Sequence, residues 1–145
     1  MKTTVIIPAY NEAAGIKETL TELADYIPAD WEILVIDDGS ADDTFAIVDS
    51  MEYSNIRCIR HKKNRGYGSA IKTGCKNAAG DIVVWYDADG QHRPEDLVTV
   101  VNKLETEHLD YCVGVRAKES HCDRNRKLGK AVLKRIVNLL AKEPV

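Results

Sequence analysis

The sequence lacks any apolar run long enough to cross a membrane. Its apolar runs, such as those at residues 5–9 and 33–36, are far short of the roughly 18–20 residues that a spanning helix needs. The first residues lead straight into a strand-like run and contain no secretory signal with a small-residue cleavage site. We therefore expect a cytoplasmic protein.

Cysteine is scarce, and no C-x-x-C motif is present. The cysteines are Cys58, Cys75, Cys112 and Cys122. This placement predicts reduced and mostly buried thiols, and it indicates neither a disulfide framework nor a zinc site.

Several catalytic and ligand-binding signatures are also missing. The chain has no P-loop and no G-x-G-x-x-G fingerprint, and no Ser-His-Asp or Cys-His set stands out. The histidines lie in polar loops or at helix ends, which predicts exposed rather than catalytic side chains; they are His61, His92, His108 and His121. Aromatic residues make up 6% of the chain, and with an acidic body this argues against a nucleic-acid-binding protein.

The composition itself is that of a globular protein. The chain has 145 residues, of which 44% are apolar and 30% charged, which predicts a single domain over residues 1–145. The net charge of −3 hides an asymmetry, because residues 1–115 carry 11 basic and 20 acidic side chains whereas residues 116–145 carry 9 and 3. The basic end indicates either an anionic partner or a solvated helix face.

Short apolar runs alternate with amphipathic stretches along the chain. The runs predict strands at residues 4–9, 32–36, 55–60, 81–86 and 110–115. Helices are predicted after an Asn11 cap, after a capping box of Ser40 and Asp43, and over residues 66–79, 94–108 and 123–142. The alternation predicts an α/β fold whose mostly parallel sheet is covered by helices on both faces.

Acidic residues follow several of the predicted strands. Ligands of open parallel sheets bind at the carboxyl ends of the strands, and carboxylates gathered there repel unless a cation or a donor-rich ligand offsets them. Asp87 and Asp89 stand two residues apart after the fourth strand, so both can point the same way. With Gln91 they predict a Mg²⁺ site; the alternative is an Asp that caps the turn into the next helix.

The acidic pair after the second strand and the glycine-rich turn after the third can each be interpreted in two ways. Asp37 and Asp38 are adjacent and should face opposite ways, so that one can accept hydrogen bonds from a ribose or a base while the other holds the loop. A receiver domain also has paired acids, but there they follow the first strand. The glycine-rich turn at residues 64–70 predicts either backbone N–H groups that approach an anion or a plain helix start.

Together these segments resemble the family 2 glycosyltransferases of the GT-A fold, a Rossmann-like arrangement, and most of all the dolichol-phosphate mannosyltransferase and polyprenyl-phosphate sugar transferase branch. The motifs that carry the resemblance lie at residues 6–12, 35–40, 64–68, 87–91, 94–97 and 113–116. The resemblance implies a nucleotide pocket lined by Pro8, Tyr10, Glu12, Val35 and Asp37, with Asp87 and Ala88 on the nucleoside side of the donor. It further implies that Asp89 and Gln91, beside Asp87, hold Mg²⁺ or Mn²⁺ against the diphosphate, that Arg116 binds a phosphate, and that Asp89 and Arg116 are catalytic.

The activity implied is metal-dependent transfer, with inversion, of a sugar from GDP-mannose or a UDP-sugar to a polyprenyl phosphate or a glycan. Members of that branch continue into an acceptor half that this sequence does not contain, so a non-catalytic or incomplete nucleotide-sugar-binding module is the alternative. A sugar nucleotidyltransferase ranks last, because no glycine-rich loop follows the first strand. Peripheral contact with a membrane surface and a homo-oligomer are both left open.

Overall fold

The computed structural model describes residues 1–89 and 92–114. Four strands and four helices alternate along these residues. The strands are β1 (Thr3–Ala9), β2 (Glu32–Asp37), β3 (Ile56–Arg60) and β4 (Ile82–Trp85). The helices are α1 (Ile16–Tyr26), α2 (Thr44–Asp49), α3 (Tyr67–Asn77) and α4 (Pro94–Thr106). No helix within the described ranges has the length and apolar character needed to span a membrane.

The four strands form one parallel sheet in the order β3-β2-β1-β4. β1 and β2 therefore lie at the centre of the sheet. β2 and β3 are added on one side of β1, and β4 then pairs with its other side. In such a sheet the loops that follow β1, β2 and β4 meet at one edge. This confirms the predicted α/β class and its parallel sheet.

Helices cover both faces of the sheet because successive side chains of a strand point to opposite sides. Val5 and Ile7 of β1 pack into a core that α1, α2 and α4 complete, whereas Ile6 packs on the other side with Ala70 of α3. Helix α3 lies so close to β1 that a Cβ atom at Gly74 would overlap the Ile6 side chain. The prediction of helices on both faces is thus confirmed.

The predicted fifth strand is not formed by the described part of its range. Residues 110–114 have no strand conformation, and Val115 lies outside the described residues. Tyr111 and Val113 are 78% and 67% exposed, so the apolar alternation that suggested a strand buries neither side chain. The predicted helix over residues 123–142 also lies outside the described residues, as does His121. Residues 1–113 form one compact unit, and a single domain over residues 1–145 stays a prediction.

The two predicted helix caps are wrong, because their side chains bind each other's turns. Asn11 has a left-handed φ of 57°, and its Oδ1 accepts a hydrogen bond from Ala41 N at 2.9 Å. In return, Ser40 Oγ accepts one from Asn11 N at 2.9 Å. Helix α1 starts after Gly15, and α2 starts after Asp43 without a side-chain cap from it.

The cysteine prediction holds only in part. The three cysteines within the described ranges are free thiols, and Cys58 and Cys112 are partly buried. Cys75 is exposed, because it lies on the solvent side of α3, so its predicted burial is wrong. Burial raises the pKa of the Cys58 thiol to about 11. Cys122 lies outside the described residues.

Candidate functional site

A cleft of about 400 Å³ opens at the carboxyl edge of the sheet. It is bounded by the loops that follow β1, β2 and β4 and by the turn that begins α3. The lining residues are Pro8, Ala9, Tyr10, Glu12, Asp38, Asn64, Gly66, Tyr67, Ala70, Asp87, Ala88 and Asp89. The structure thus brings together Pro8, Tyr10, Glu12, Asp87, Ala88 and Asp89 from the predicted site.

The loop after β1 is held in place by the loop after β2. Besides the reciprocal bonds between Asn11 and residues 40–41, Thr44 Oγ1 accepts a hydrogen bond from Glu12 N at 2.9 Å. The carboxylate of Asp42 accepts one from Ala13 N at 3.1 Å. These bonds orient Tyr10, which is 47% exposed, and Glu12 towards the cleft.

Asp38 organises the turn at residues 64–66. The carboxylate is buried at the end of β2 and accepts hydrogen bonds from Gly66 N at 2.7 Å and from Arg65 N at 3.0 Å. The two backbone N–H groups that could have met an external anion are therefore occupied by a carboxylate of the chain itself. The capping predicted for one member of the Asp37–Asp38 pair falls to Asp37, whose Oδ1 accepts a hydrogen bond from Ser40 N in the loop after β2.

His61 is also buried, so its predicted exposure is wrong. Its ring lies between Asp38 and α3, with Nδ1 2.6 Å from Asp38 Oδ1 and Nε2 2.9 Å from Thr73 Oγ1. The flanking Lys62 and Lys63 are exposed, which gave this segment the appearance of a solvated turn. His108 is exposed, as predicted.

Val35 and Asp37 lie behind the cleft and do not line it. Val35 is fully buried, because its side chain packs in the same core as those of Val5 and Ile7 of β1. Asp37 is also fully buried; its Oδ1 accepts from Ser40 N at 3.0 Å, and its Oδ2 lies 3.0 Å from Arg60 Nε as an ion pair without hydrogen-bond alignment. Both residues can shape the wall of the cleft only through their neighbours.

Asp87 is fixed between an aromatic hydroxyl and an imidazole. Tyr67 OH donates to Asp87 Oδ1 at 2.8 Å, and His92 Nε2 lies 3.0 Å from Asp87 Oδ2. Because an ionised carboxylate can only accept, Nε2 is the donor in the second bond. Desolvation, the hydrogen bond to Asp87 and the charges of Asp87 and Asp89 raise the pKa of Tyr67 to about 12, so the phenol stays a donor at neutral pH.

Tyr86 holds His92, which in turn bonds Asp87. Its hydroxyl donates to the backbone oxygen of His92 at 2.6 Å, and the two rings lie 5.5 Å apart. Burial and, in second place, the surrounding acidic charges raise the pKa of Tyr86 to about 12. The residues that orient Asp87 were not among the predicted site residues. Their only signal in the sequence was position, since Tyr67 begins a helix and His92 follows the Asp87 turn.

The carboxylates of the cleft fit a hard divalent cation. Asp87 is half-buried and Asp89 exposed at the same rim, and Mg²⁺ is typically bound by one or two carboxylates together with water and substrate phosphates. Among the described residues no group of three or more His, Cys, Asp and Glu side chains could hold a metal by itself. A metal here would therefore need further oxygen ligands, from water or from a bound substrate. Gln91 and Arg116 lie outside the described residues.

The parallel sheet and the cleft at its carboxyl edge occur in a chain whose sequence matches a known protein family. The model of the family described as "Glycosyl transferase family 2" matches residues 4–143. The chain belongs to glycosyl transferase family 2. This confirms the resemblance on which the sequence-based interpretation rested.

Relatives and solved structures of family 2 agree with the fold described above. The UDP-N-acetylglucosamine–dolichyl-phosphate N-acetylglucosaminyltransferase of Methanococcus voltae is 34% identical over 145 aligned positions, which cover 88% of this chain. S. aureus TarS in complex with UDP-GlcNAc superposes with a TM-score of 0.66 at 31% identity over 74% of this chain. The mannosyltransferase PcManGT of Pyrobaculum calidifontis, in complex with GDP-Man and Mn²⁺, gives 0.62 at 32% identity over 70%. The GT-A fold is thereby confirmed.

The chain spans only part of these proteins. It covers 57% of the length of the Methanococcus relative and 32% of each of the two solved chains.

Proposed function

We propose that the cleft binds a nucleotide-diphosphate sugar together with Mg²⁺ or Mn²⁺, and that the chain serves transfer of the sugar to a polyprenyl phosphate. The observation that carries this proposal is the meeting of Asp87 and Asp89 with Tyr10 and Tyr67 in one cleft at the carboxyl edge of the sheet. The family supplies the reaction class. The Methanococcus relative is named for a UDP-sugar and a dolichyl-phosphate.

The cleft offers different surfaces to the two parts of such a donor. The side chains of Pro8, Ala9 and Ala88 supply apolar walls, and the exposed rings of Tyr10 and Tyr67 can pack against a base. The charged rim formed by Asp87 and Asp89 then lies where a diphosphate would follow. We assign contact with the nucleoside to these lining residues, and we assign to Val35 and Asp37 the support of the wall.

The residues around Asp87 act by orientation. Asp87 and Asp89 would hold the metal, with Gln91 a further proposed ligand, and a bound divalent metal would stabilise the negative charge that develops on the leaving diphosphate. Tyr67 and His92 each hold one oxygen of Asp87, so the carboxylate meets the donor in one orientation. Catalytic contact by Asp89 and phosphate binding by Arg116 remain part of the proposal. A lipid phosphate acceptor is already anionic and needs no strong protein base.

Calorimetric titration with GDP and UDP, in Mn²⁺ and in EDTA, tests donor binding. We expect Asp89→Asn to weaken the Mn²⁺-dependent affinity at least about tenfold, because one of two charged metal ligands is lost. Asp30→Asn is the matched control, since Asp30 is exposed and follows α1 at the opposite edge of the sheet. Equal affinities of Asp89→Asn and the wild-type chain would refute the assignment of the metal site.

A second candidate function is donor binding without transfer. It is favoured by the lining of the cleft, whose assigned residues all serve the donor and its metal. Incubation with GDP-mannose or UDP-N-acetylglucosamine, with and without a polyprenyl phosphate, separates the two. Transfer to the lipid supports the full reaction, whereas binding with no transfer supports the module. A cytoplasmic location and peripheral membrane contact are part of the first proposal.

A further inference from the structure

Two buried polar side chains and a half-buried one connect β2 to α3 beside the cleft. Asp38 follows β2, His61 follows β3, and Thr73 lies in the middle of α3. The Asp38 and His61 side chains are only 4% and 6% exposed. The ring of His61 joins the other two through bonds of 2.6 Å and 2.9 Å.

The protonation of this chain of bonds follows from its donors and acceptors. Asp38 already accepts hydrogen bonds from backbone N–H groups on both oxygens, so it acts as an ionised acceptor, and His61 Nδ1 carries the proton that faces it. The Thr73 hydroxyl can satisfy Nε2 in either ring state. Every polar atom of His61 is therefore used inside the protein, and the ring does not line the cleft.

The same carboxylate determines where the turn at residues 64–66 lies. Arg65 N and Gly66 N both bind Asp38, and Asn64 and Gly66 line the cleft. The next residue, Tyr67, extends from that turn to Asp87. An Asp38 carboxylate that lost its Nδ1 donor could rotate, because at this burial water cannot readily replace the donor. The wall from Asn64 to Tyr67 would then lose its fixed position.

We infer that His61 is a positioning residue that fixes the Asp38 carboxylate and, through it, the 64–67 wall of the donor cleft. The inference rests on the proposed function, since it assigns His61 a role in nucleotide affinity. Of the two residues that the His61 ring bonds, only Asp38 lines the cleft. His61 therefore acts through Asp38 and not on the donor itself. A purely structural histidine would instead contribute to stability and leave nucleotide affinity unchanged.

Two isosteric replacements separate the two bonds of the ring. His61→Asn keeps a donor near the place of Nδ1 and loses the bond to Thr73. His61→Gln reaches the place of Nε2 and loses the bond to Asp38. Thr73→Val removes only the hydroxyl. His108→Asn is the control, because His108 is exposed, lies outside the cleft and has a left-handed φ of 52° that Asn tolerates.

The experiment measures hydrogen exchange of the Arg65 and Gly66 amides by NMR, affinity for GDP and UDP in Mn²⁺, and melting temperature for each variant. We expect His61→Gln to speed exchange at both amides and to weaken binding of the preferred nucleotide, each at least about tenfold. His61→Asn should stay within about threefold of the wild-type chain in both readouts. Thr73→Val keeps the bond between His61 and Asp38, so it should also stay within about threefold of the wild-type chain, and His108→Asn should match the wild type.

The exchange readout requires no nucleotide, so the two proposals can fail separately. If the wild-type chain binds neither GDP nor UDP, the proposed function is refuted and the role of His61 in affinity falls with it. If it binds one of them but His61→Gln leaves amide exchange or affinity unchanged, the inference alone is overturned. Equal losses in His61→Gln and His61→Asn, with equal falls in melting temperature, would also overturn it in favour of a structural role.

Discussion

Gly39 and Gly66 form a natural pair for a test of how the cleft is built. Both have a left-handed backbone, with φ of 72° and 88°, so an alanine is strained at either position. They differ in their surroundings. A Cβ atom at Gly39 would lie 2.5 Å from the carbonyl carbon of Lys63 and 2.7 Å from Asn64 N, whereas one at Gly66 meets nothing within 4 Å.

The expected losses of stability follow from these two conditions. Strain from the left-handed backbone costs about 1–2 kcal/mol at Gly39, and forcing an atom against the backbone of residues 63–64 adds about 1–3 kcal/mol. At Gly66 the backbone, with ψ of 157°, lies in a region almost confined to glycine, which costs about 1–3 kcal/mol. Gly39→Ala should therefore lose about 2–5 kcal/mol, against about 1–3 kcal/mol for Gly66→Ala, so that the midpoints of the two ranges differ by about 1.5 kcal/mol.

Urea unfolding provides the assay. Trp31 is 6% exposed, so its fluorescence reports loss of the core, and the midpoint and slope give the free energy of unfolding. A Gly39→Ala variant that unfolds no more easily than Gly66→Ala would refute the reasoning. It would show that the loop after β2 does not press on the turn that borders the cleft.

Two further predictions concern single side chains. Cys58 should react with iodoacetamide at about pH 8 at least about tenfold more slowly than exposed Cys75, because burial raises the Cys58 pKa to about 11; equal labelling rates by mass spectrometry would contradict this. Burial alone would raise the pKa of Glu32, but hydrogen bonds from Thr4, Ala79 and Arg57 outweigh it and lower the pKa below 4.5. The unfolded state then takes up the proton more readily, so Glu32 stabilises the fold above that pH and loses its contribution in more acidic solution. The advantage of the wild type over Glu32→Gln in urea unfolding should shrink between about pH 7 and about pH 3, and an unchanged difference would count against the bonds.

The strands and helices of the sheet were predictable because their signals are local. Each of β1 to β4 is a short apolar run between turn residues, and each lies within two residues of its predicted bounds. The fate of the fifth predicted strand could not be foreseen, because apolar periodicity at residues 110–115 shows only that a strand is possible. A strand also needs a partner, and the sequence does not contain that information. The caps at Asn11 and Ser40 failed for a related reason, since their polar side chains found partners in each other's turns.

The candidate site shows the same division. Tyr10, Glu12, Asp87 and Asp89 line the cleft because they follow the ends of strands, which the sequence pattern locates. Val35 and Asp37 belong to the strand itself, and the direction of their side chains depends on register with β1 and β3.

The burial of His61 could not be read from a segment flanked by lysines. A histidine is buried only where partners such as Asp38 and Thr73 satisfy both ring nitrogens, and these partners are 23 and 12 residues away.

Paramagnetic broadening by Mn²⁺ tests the central claim most directly. The isotopically labelled chain is titrated with Mn²⁺ in the presence of GDP or UDP, and amide signals are followed by NMR. We predict that broadening begins at Asp87, Ala88 and Asp89, extends to Tyr67 across the cleft, requires the nucleotide, and is lost in Asp89→Asn. Broadening that centres elsewhere, or that is the same in Asp89→Asn, would contradict the account of this cleft as a metal-dependent donor site.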